Sequence, residues 1–398
     1  MKKNILLFVI FSFLIFIIYI LFFYESMKLP RIYLEGSLDK LVSKDDEENF
    51  YVKYESSDLS FNSYARIKLQ GKSSLSFDKK NYNIKFYNDS LKKEKKNIDF
   101  GWGDNSKYCL KANWIDKTHS RNIVTANIFA DMQKDFNLFV DTPNYGVIDG
   151  YPVEIYLNGS FLGLYTLNIA KDEFMFNMDK SNKNHLVFAS KNWTKSTAFL
   201  EVGDFDSWEM EVGEETEENL NKLNRVIDFV ISSSDDNFKK NINNYFNLDS
   251  LLNYYIMLQF ANLIDNTANN LLLATYDGLV WYTTLYDMDS SFGTYMNGTL
   301  VDYSGVDFPS VGSNLWNRLE INFSNELTER YFYFRKTILT KKNVMKKFRS
   351  FYNLISEDTL NKEIDKWGDI TGYDLKQIET FLDYKIPILD DFFKNLSS

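Results

Sequence analysis

Asp265, Asn270, Asp287 and Asp289 fall within about two dozen residues, on Ile-Asp-Asn-Thr-Ala-Asn-Asn (264–270) and Leu-Tyr-Asp-Met-Asp-Ser-Ser-Phe-Gly (285–293). An acid, an amide five residues on, then an apolar strand ending in Asp and Phe-Gly supplies the parts that phosphoryl transfer needs. One carboxylate must meet an attacking hydroxyl while an amide and a second carboxylate hold Mg²⁺ against phosphates. Asp265 stands where a helical pattern gives way to a strand, so it can accept a proton from a hydroxyl or cap a turn. Asn270 offers an amide oxygen to a metal, or closes a turn with Asn266 and Asn269. Asp287 and Asp289 alternate at a strand end and should point to the same side. Two like charges on one buried face are costly unless a cation neutralises them, which favours a metal over a structural role. Asp287 directly follows the apolar run and is read as the first ligand; Asp289 is a second ligand or a cap.

Such a site also needs cations for the phosphates. Gly71-Lys72-Ser73-Ser74 separates two alternating runs, Arg66–Gln70 and Tyr82–Phe86, and gives a hairpin whose loop can approach phosphate or simply turn. Gly71 and Ser73 are read as loop contacts. Lys79, Lys80 and Lys85 are candidate phosphate cations, with Lys85 alternating away from the apolar face of its strand. Arg121, on a helix expected over 116–131 with Asp116 as its cap, is read toward a phosphate or an acid partner. His119 is expected on that helix's surface, and Cys109 in the core.

The elements that must place these groups follow from hydrophobic period. Arg31–Leu34 and Phe50–Tyr54 read as strands. Val153–Leu157 and Phe161–Leu167 flank Asn158-Gly159, a strong hairpin signal. Helices are expected at 217–232 and 249–263, a hairpin turning at Asp277-Gly278, an exposed acidic connection at 209–218, and mostly helix from 315 to 393. Lys92–Lys96 is a solvated basic run. The picture is α+β: a β-rich N-terminal half, a helical C-terminal half, and the acidic cluster at their junction.

Composition narrows the chemistry. The 398 residues carry a formal net charge of −10, which disfavours general nucleic-acid binding. One cysteine and two histidines supply neither a disulfide nor the usual zinc or Ser-His-Asp sites, so a metal would be held by oxygen atoms as Mg²⁺ or Mn²⁺. Lys2 and Lys3 precede an apolar run from Ile5 to Phe23, long enough for a hydrocarbon core of roughly 30 Å. Without a small-residue cleavage site it reads as an uncleaved anchor with the remainder outside the cytoplasm.

Taken in order, Gly71–Ser74, Lys79–Lys85, Leu110–Asp116 with Arg121-Asn122, Tyr156–Gly159 with Gly163–Tyr165, and the 265–293 set resemble the CotH family of atypical, spore-coat kinases over roughly residues 60–390. The resemblance implies a divergent two-lobed protein-kinase-like fold that uses ATP and divalent metal to phosphorylate protein Ser or Thr. It implies Asp265 as base and Asp287 as metal ligand with Asn270, and a coat or envelope protein as partner. The organisation expected is an anchor at 1–27, a short β-rich lead-in at 28–58, and the kinase-like domain at 59–395. Ile169 stands where the family usually has Glu, with Asp172 or Glu173 as substitutes. Two alternatives stay open: a binding or scaffold protein of the same fold, and a transferase acting on an envelope polysaccharide.

Overall fold

The computed structural model describes residues 29–191, 199–301, 314–368 and 374–396. Strict alternation builds its first unit. In β3 (Ser60–Gln70), Ala65, Ile67 and Leu69 turn inward and are buried, while Tyr64, Arg66 and Lys68 turn outward. The same period runs through β1 (Arg31–Glu35), β2 (Glu47–Glu55), β4 (Asn81–Tyr87) and β7 (Lys107–Lys111), and the chain adds β8 (Gly150–Leu157) and β9 (Ser160–Ile169). These seven strands close into a barrel in the order β1-β2-β3-β4-β7-β9-β8. The closing seam is parallel and runs from Arg31 opposite Glu154 to Leu34 opposite Leu157. Inward side chains such as Ile32, Val52, Ile67, Ile84, Phe86, Tyr108 and Val153 fill the interior, so it is a packed core and not a channel. β5 (Ile98–Asp99) and β6 (Asp104–Asn105) form a small separate ribbon.

A second sheet stands beside the barrel in the order β11-β10-β12-β13, all antiparallel. Its strands are β10 (Leu186–Lys191), β11 (Trp208–Val212), β12 (Asn269–Thr275) and β13 (Tyr282–Leu285). The helices around it are α1 (Arg121–Asp135), α2 (Glu217–Ser232), α3 (Asp235–Asn241), α4 (Leu248–Ala261), α5 (Asn314–Asn322), α6 (Ser324–Lys336), α7 (Lys341–Tyr352), α8 (Glu357–Trp367) and α9 (Leu375–Leu396). α4 is buried all round and runs through the centre of the larger core. The local expectations for the 66–86, 153–167 and 271–286 hairpins match observed strand pairs.

The global picture differs from the two-lobed kinase-like expectation. The molecule is a mixed α+β structure with a closed seven-stranded barrel. The segment 28–58 supplies two of its staves, and the second sheet draws strands from both halves of the chain. Period reports which residues are strands; it does not report that residues 31–34 will meet 154–157. The anchored, single-pass placement is likewise corrected. Among the described residues no helix is long and apolar enough to cross a membrane, and the run 5–23 lies outside those residues. α9 has 22 residues, but it contains Pro387 and several charges. It lays Ile378, Phe381, Leu382, Leu389 and Phe393 on the core.

α8 is attached to the barrel in an unusual way. Its only buried side chains are Thr359 and Glu363. Glu363 receives the fully buried Lys79 ammonium at 2.5 Å and the Leu164 amide at 2.7 Å. Thr359 donates to Glu154 at 2.8 Å, and the Trp367 indole to the Leu162 carbonyl at 2.9 Å. Burial pulls Lys79 down to about 8 despite its partner, so the pair is held in a weakly solvated place. Removing the acid strands the Lys79 charge, which is costly, and an amide loses the same charge but keeps one oxygen that can accept one of the two hydrogen bonds. Glu363→Ala should therefore cost about 3–5 kcal/mol in urea unfolding, and Glu363→Gln distinctly less. Equal losses in the two variants would contradict this, since the charge missing from both would then account for the whole effect and the retained acceptor for none.

Candidate active site

Asp265 opens a short 3-10 turn directly after α4, whose end is set by Asn262 in the left-handed region (φ 56°). Its carboxylate accepts from the side-chain amides of Asn269, at 3.0 and 3.2 Å, and Asn270, at 2.7 Å. Asn266, fully buried, donates to the Tyr286 carbonyl at 2.8 Å and so ties this turn to the exit of β13. Asn270 and Asp287 both take left-handed backbone (φ 57° and 54°), as does Phe292 (φ 52°). Three non-glycine residues in that region are a local cost that surrounding structure must hold in place.

α1 supplies the hold. Asn122 accepts from the Met288 amide at 3.0 Å, Arg121 donates to the Ser291 carbonyl at 3.1 Å, and Thr125 shares a hydrogen bond with the Ser291 hydroxyl. Phe292 is buried against Phe260, Phe348 and Phe381. β13 ends at Leu285, so Asp287 and Asp289 lie on a loop and not on a strand end. They face the same cleft because the loop is gripped from both sides.

That cleft has a volume of about 310 Å³ and lies between the outer wall of the barrel and the second sheet. Asp265, Asn270, Asp287, Asp289, Gly71 and Ser73 all line it. Gly71 has φ 109°, and a Cβ there would sit 1.9 Å from the Ser74 hydroxyl oxygen, so the loop can fold this tightly only with glycine. Lys80, Lys85 and Arg121 do not reach the cleft. Lys80 donates to the Leu75 carbonyl at 2.7 Å and to the Phe77 carbonyl, bracing the glycine loop from behind. Lys85 stands on the outer barrel face over the Tyr87 ring. Arg121 is buried against Asp116 and the Gln377 side chain.

The cations that do line the cleft include Lys107, Lys111 and Lys171. Lys111 meets Asp287 at 3.0 Å, Lys107 meets Asp172 at 3.1 Å, and Lys171 meets Glu211 at 2.5 Å. Their signal was present in the sequence. In Lys107-Tyr-Cys-Leu-Lys111 the barrel takes Tyr108 and Leu110, so alternation turns Lys107, Cys109 and Lys111 to the other side. Cys109 donates to Asn83 at 3.1 Å, and burial pushes its thiol up to about 11, which keeps it protonated. The acidic stretch expected to be an exposed connection begins as β11, and it places Glu209 and Glu211 on the cleft wall. His119 is buried in the loop before α1 and not on a helix surface; α1 starts at Arg121. Ile169 is fully buried, so no carboxylate occupies that position, and Glu173 pairs with Lys180.

The profile described as CotH kinase protein matches residues 67–395. The chain belongs to the CotH kinase family. No curated protein matches it. Membership points in general terms to ATP and a divalent cation. Among the described residues of this CotH protein, no three His, Cys, Asp or Glu side chains are arranged as a metal site. The donors fit a hard cation of the Mg²⁺ type nonetheless, because such ions take one or two carboxylates and complete their shell with water and phosphate. Asp287, Asp289 and the amide of Asn270 are the oxygen donors at hand.

The electrostatics are strained in the same sense. Burial pushes Asp265 up to about 6, with the Asp287 charge adding to the effect and the two asparagines opposing it. Asp289 is raised first by burial and then by Asp287. Burial alone would pull Lys111 down, but Asp287 and Asp289 outweigh it and hold its ammonium above its usual value. A carboxyl raised in the folded state loses stability as pH climbs from its unfolded value near 4 through its folded value near 6. In metal-free protein, Asp265→Asn should therefore be more stable than the parent by about 1–3 kcal/mol at pH 8, a gain that fades by about pH 4. Urea midpoints at the two pH values test this; a variant less stable at pH 8 than at pH 4, relative to the parent, would contradict it.

Proposed function

We infer that this CotH protein transfers the γ-phosphoryl group of ATP to a Ser or Thr hydroxyl of a protein. The observation that carries the reading is the meeting of Asp265, Asn270, Asp287 and Asp289 with Lys111 in one cleft beneath a glycine turn. Phosphoryl transfer asks a protein chiefly for position and charge stabilisation, since the chemistry needs no covalent protein intermediate. When bound, the divalent cation would offset negative charge on the phosphates.

The chain's own groups divide the remaining work. Asp265, fixed by two asparagine amides, orients the acceptor hydroxyl and receives its proton. Asp287, Asp289 and the Asn270 amide would hold the cation. Lys111 neutralises Asp287 and Asp289 before nucleotide arrives and then stands beside the phosphates. Gly71 to Ser74 close over the triphosphate with backbone amides and hydroxyls. Lys107 and Lys171 add positive potential along the same wall.

The test is transfer from labelled ATP with Mg²⁺ to a mixed protein acceptor. Asp265→Ala and Asp287→Ala should each lower the rate by at least about 10²-fold with folding intact. Lys111→Met should weaken nucleotide binding, seen as a smaller rise in Tm at a given ATP concentration. Full activity in either aspartate variant would end the assignment. An unchanged Tm in the parent with ATP and Mg²⁺ would favour the scaffold reading.

A further inference from the structure

The glycine turn over the cleft is tied to a helix that lies outside the cleft. Phe77, which follows the 3-10 turn at Ser73–Ser76, lines the cleft, and its ring stacks on Trp114 with centroids 5.9 Å apart and planes inclined by 21°. Trp114 in turn meets Trp367, the last residue of α8, edge to face at 6.2 Å and 81°. The Trp367 indole N–H is itself fixed on the Leu162 carbonyl at 2.9 Å. Three rings thus run from the wall of the cleft to α8.

A second path runs beside the first. Lys79, two residues after Phe77, is fully buried and donates to the Ala112 carbonyl at 3.1 Å, the Leu164 carbonyl at 2.5 Å and Glu363 of α8 at 2.5 Å. Ala112 directly follows Lys111, the partner of Asp287, and Ile115 of the same loop lines the cleft. One path therefore ends at the glycine turn and the other beside Lys111.

What α8 lacks is a buried apolar face. Only Thr359 and Glu363 are buried on it, and a cavity of about 200 Å³ separates it from the loop 112–119, with Trp114, His119, Leu360 and Ile364 among its walls. A close-packed helix would fill such a space. Here the attachment is concentrated at a few side chains, and two of them, Glu363 and Trp367, are the ends of the two paths. The loop between has its own demand for support: Asn113 and His119 take left-handed backbone (φ 50° and 52°), a cost that persists only where neighbours enforce it.

We propose that α8 is a positioning element of the cleft: through Trp367 and Glu363 it holds Phe77 and Lys79, and so sets how firmly the glycine turn covers a bound nucleotide. The nucleotide part rests on the phosphoryl-transfer reading; the mechanical link from α8 to the turn does not. A ring contact of this kind is worth a factor of about two to ten in an equilibrium constant, so losing one loosens the turn and leaves the fold standing.

The test is hydrogen exchange, read by mass spectrometry on peptides covering residues 71–79 of the full chain without nucleotide. The Leu75 and Phe77 amides, bonded to the Lys72 and Ser74 carbonyls at 3.2 and 3.3 Å, report on the turn. Trp367→Leu should speed this exchange about threefold or more, while Trp367→Phe, which keeps a ring against Trp114, should stay within about twofold of the parent. Leu389→Val, a buried change in α9 on neither path, should leave it unaltered. Trp114→Leu should also speed exchange, and the double variant should be no faster than Trp114→Leu alone, because both changes cut one path. On the same samples, Trp367→Leu should raise the ATP concentration that gives half of the Tm rise by about threefold or more. Unchanged exchange in Trp367→Leu, equal acceleration in Leu389→Val, additive effects in the double variant, or an unchanged ATP requirement would each overturn the proposal. A parent whose Tm ignores ATP would instead remove the phosphoryl-transfer reading, with the exchange pattern still deciding the link from α8 to the turn.

Discussion

Like-charge repulsion organises this molecule. Asp265, Asp287 and Asp289 share one partly dry cleft, and burial together with their mutual fields drives Asp265 and Asp289 toward protonation. The fold opposes this with Lys111, placed by the outward face of a barrel strand. The barrel is thus more than a scaffold. Its interior fixes the register of β7, and that register decides which side chains face the acids. A shift of one residue would bury Lys111 in the barrel and turn Leu110 to the cleft.

The backbone strain at Asn270, Asp287 and Phe292 belongs to the same arrangement. Left-handed turns at these residues let two short segments aim their polar ends at one point, which regular strands could not do. The cost is met by α1, where Arg121, Asn122 and Thr125 hold the 288–291 loop, and by the ring cluster around Phe292. Arg121 does its work through a carbonyl and through Asp116. Its full burial makes it unsuited to a ligand that arrives from solvent.

What the sequence showed, and what it hid, divides along range. The Asn158-Gly159 and Asp277-Gly278 turns, the helix at 217–232 and the clustering of Asp265 with Asp287 rest on neighbours in the chain or on a short hairpin, and all were legible. Barrel closure pairs residues some 120 positions apart, through strands that alternate like any others. The choice of Lys80 and Lys85 over Lys107 and Lys111 fails for a related reason. Alternation shows that Lys85 points away from the barrel core, but a barrel has an outside all the way round. Only the position of the second sheet decides which part of that outside is a cleft.

The neighbouring lysines 79 and 80 carry this point into energetics. On one strand entrance, Lys80 turns to the carbonyls of the glycine loop, while Lys79 turns beneath α8 to Glu363. The first choice stiffens the lid of the cleft. The second secures a helix that buries no apolar side chain of its own. A helix docked through charge is cheap to release, because water can solvate both partners again, and expensive to leave half-docked. α8 is therefore held at its dock by charge and hydrogen bonds and not by apolar burial. Its seated state is what completes the cavity formed with Trp114 and His119.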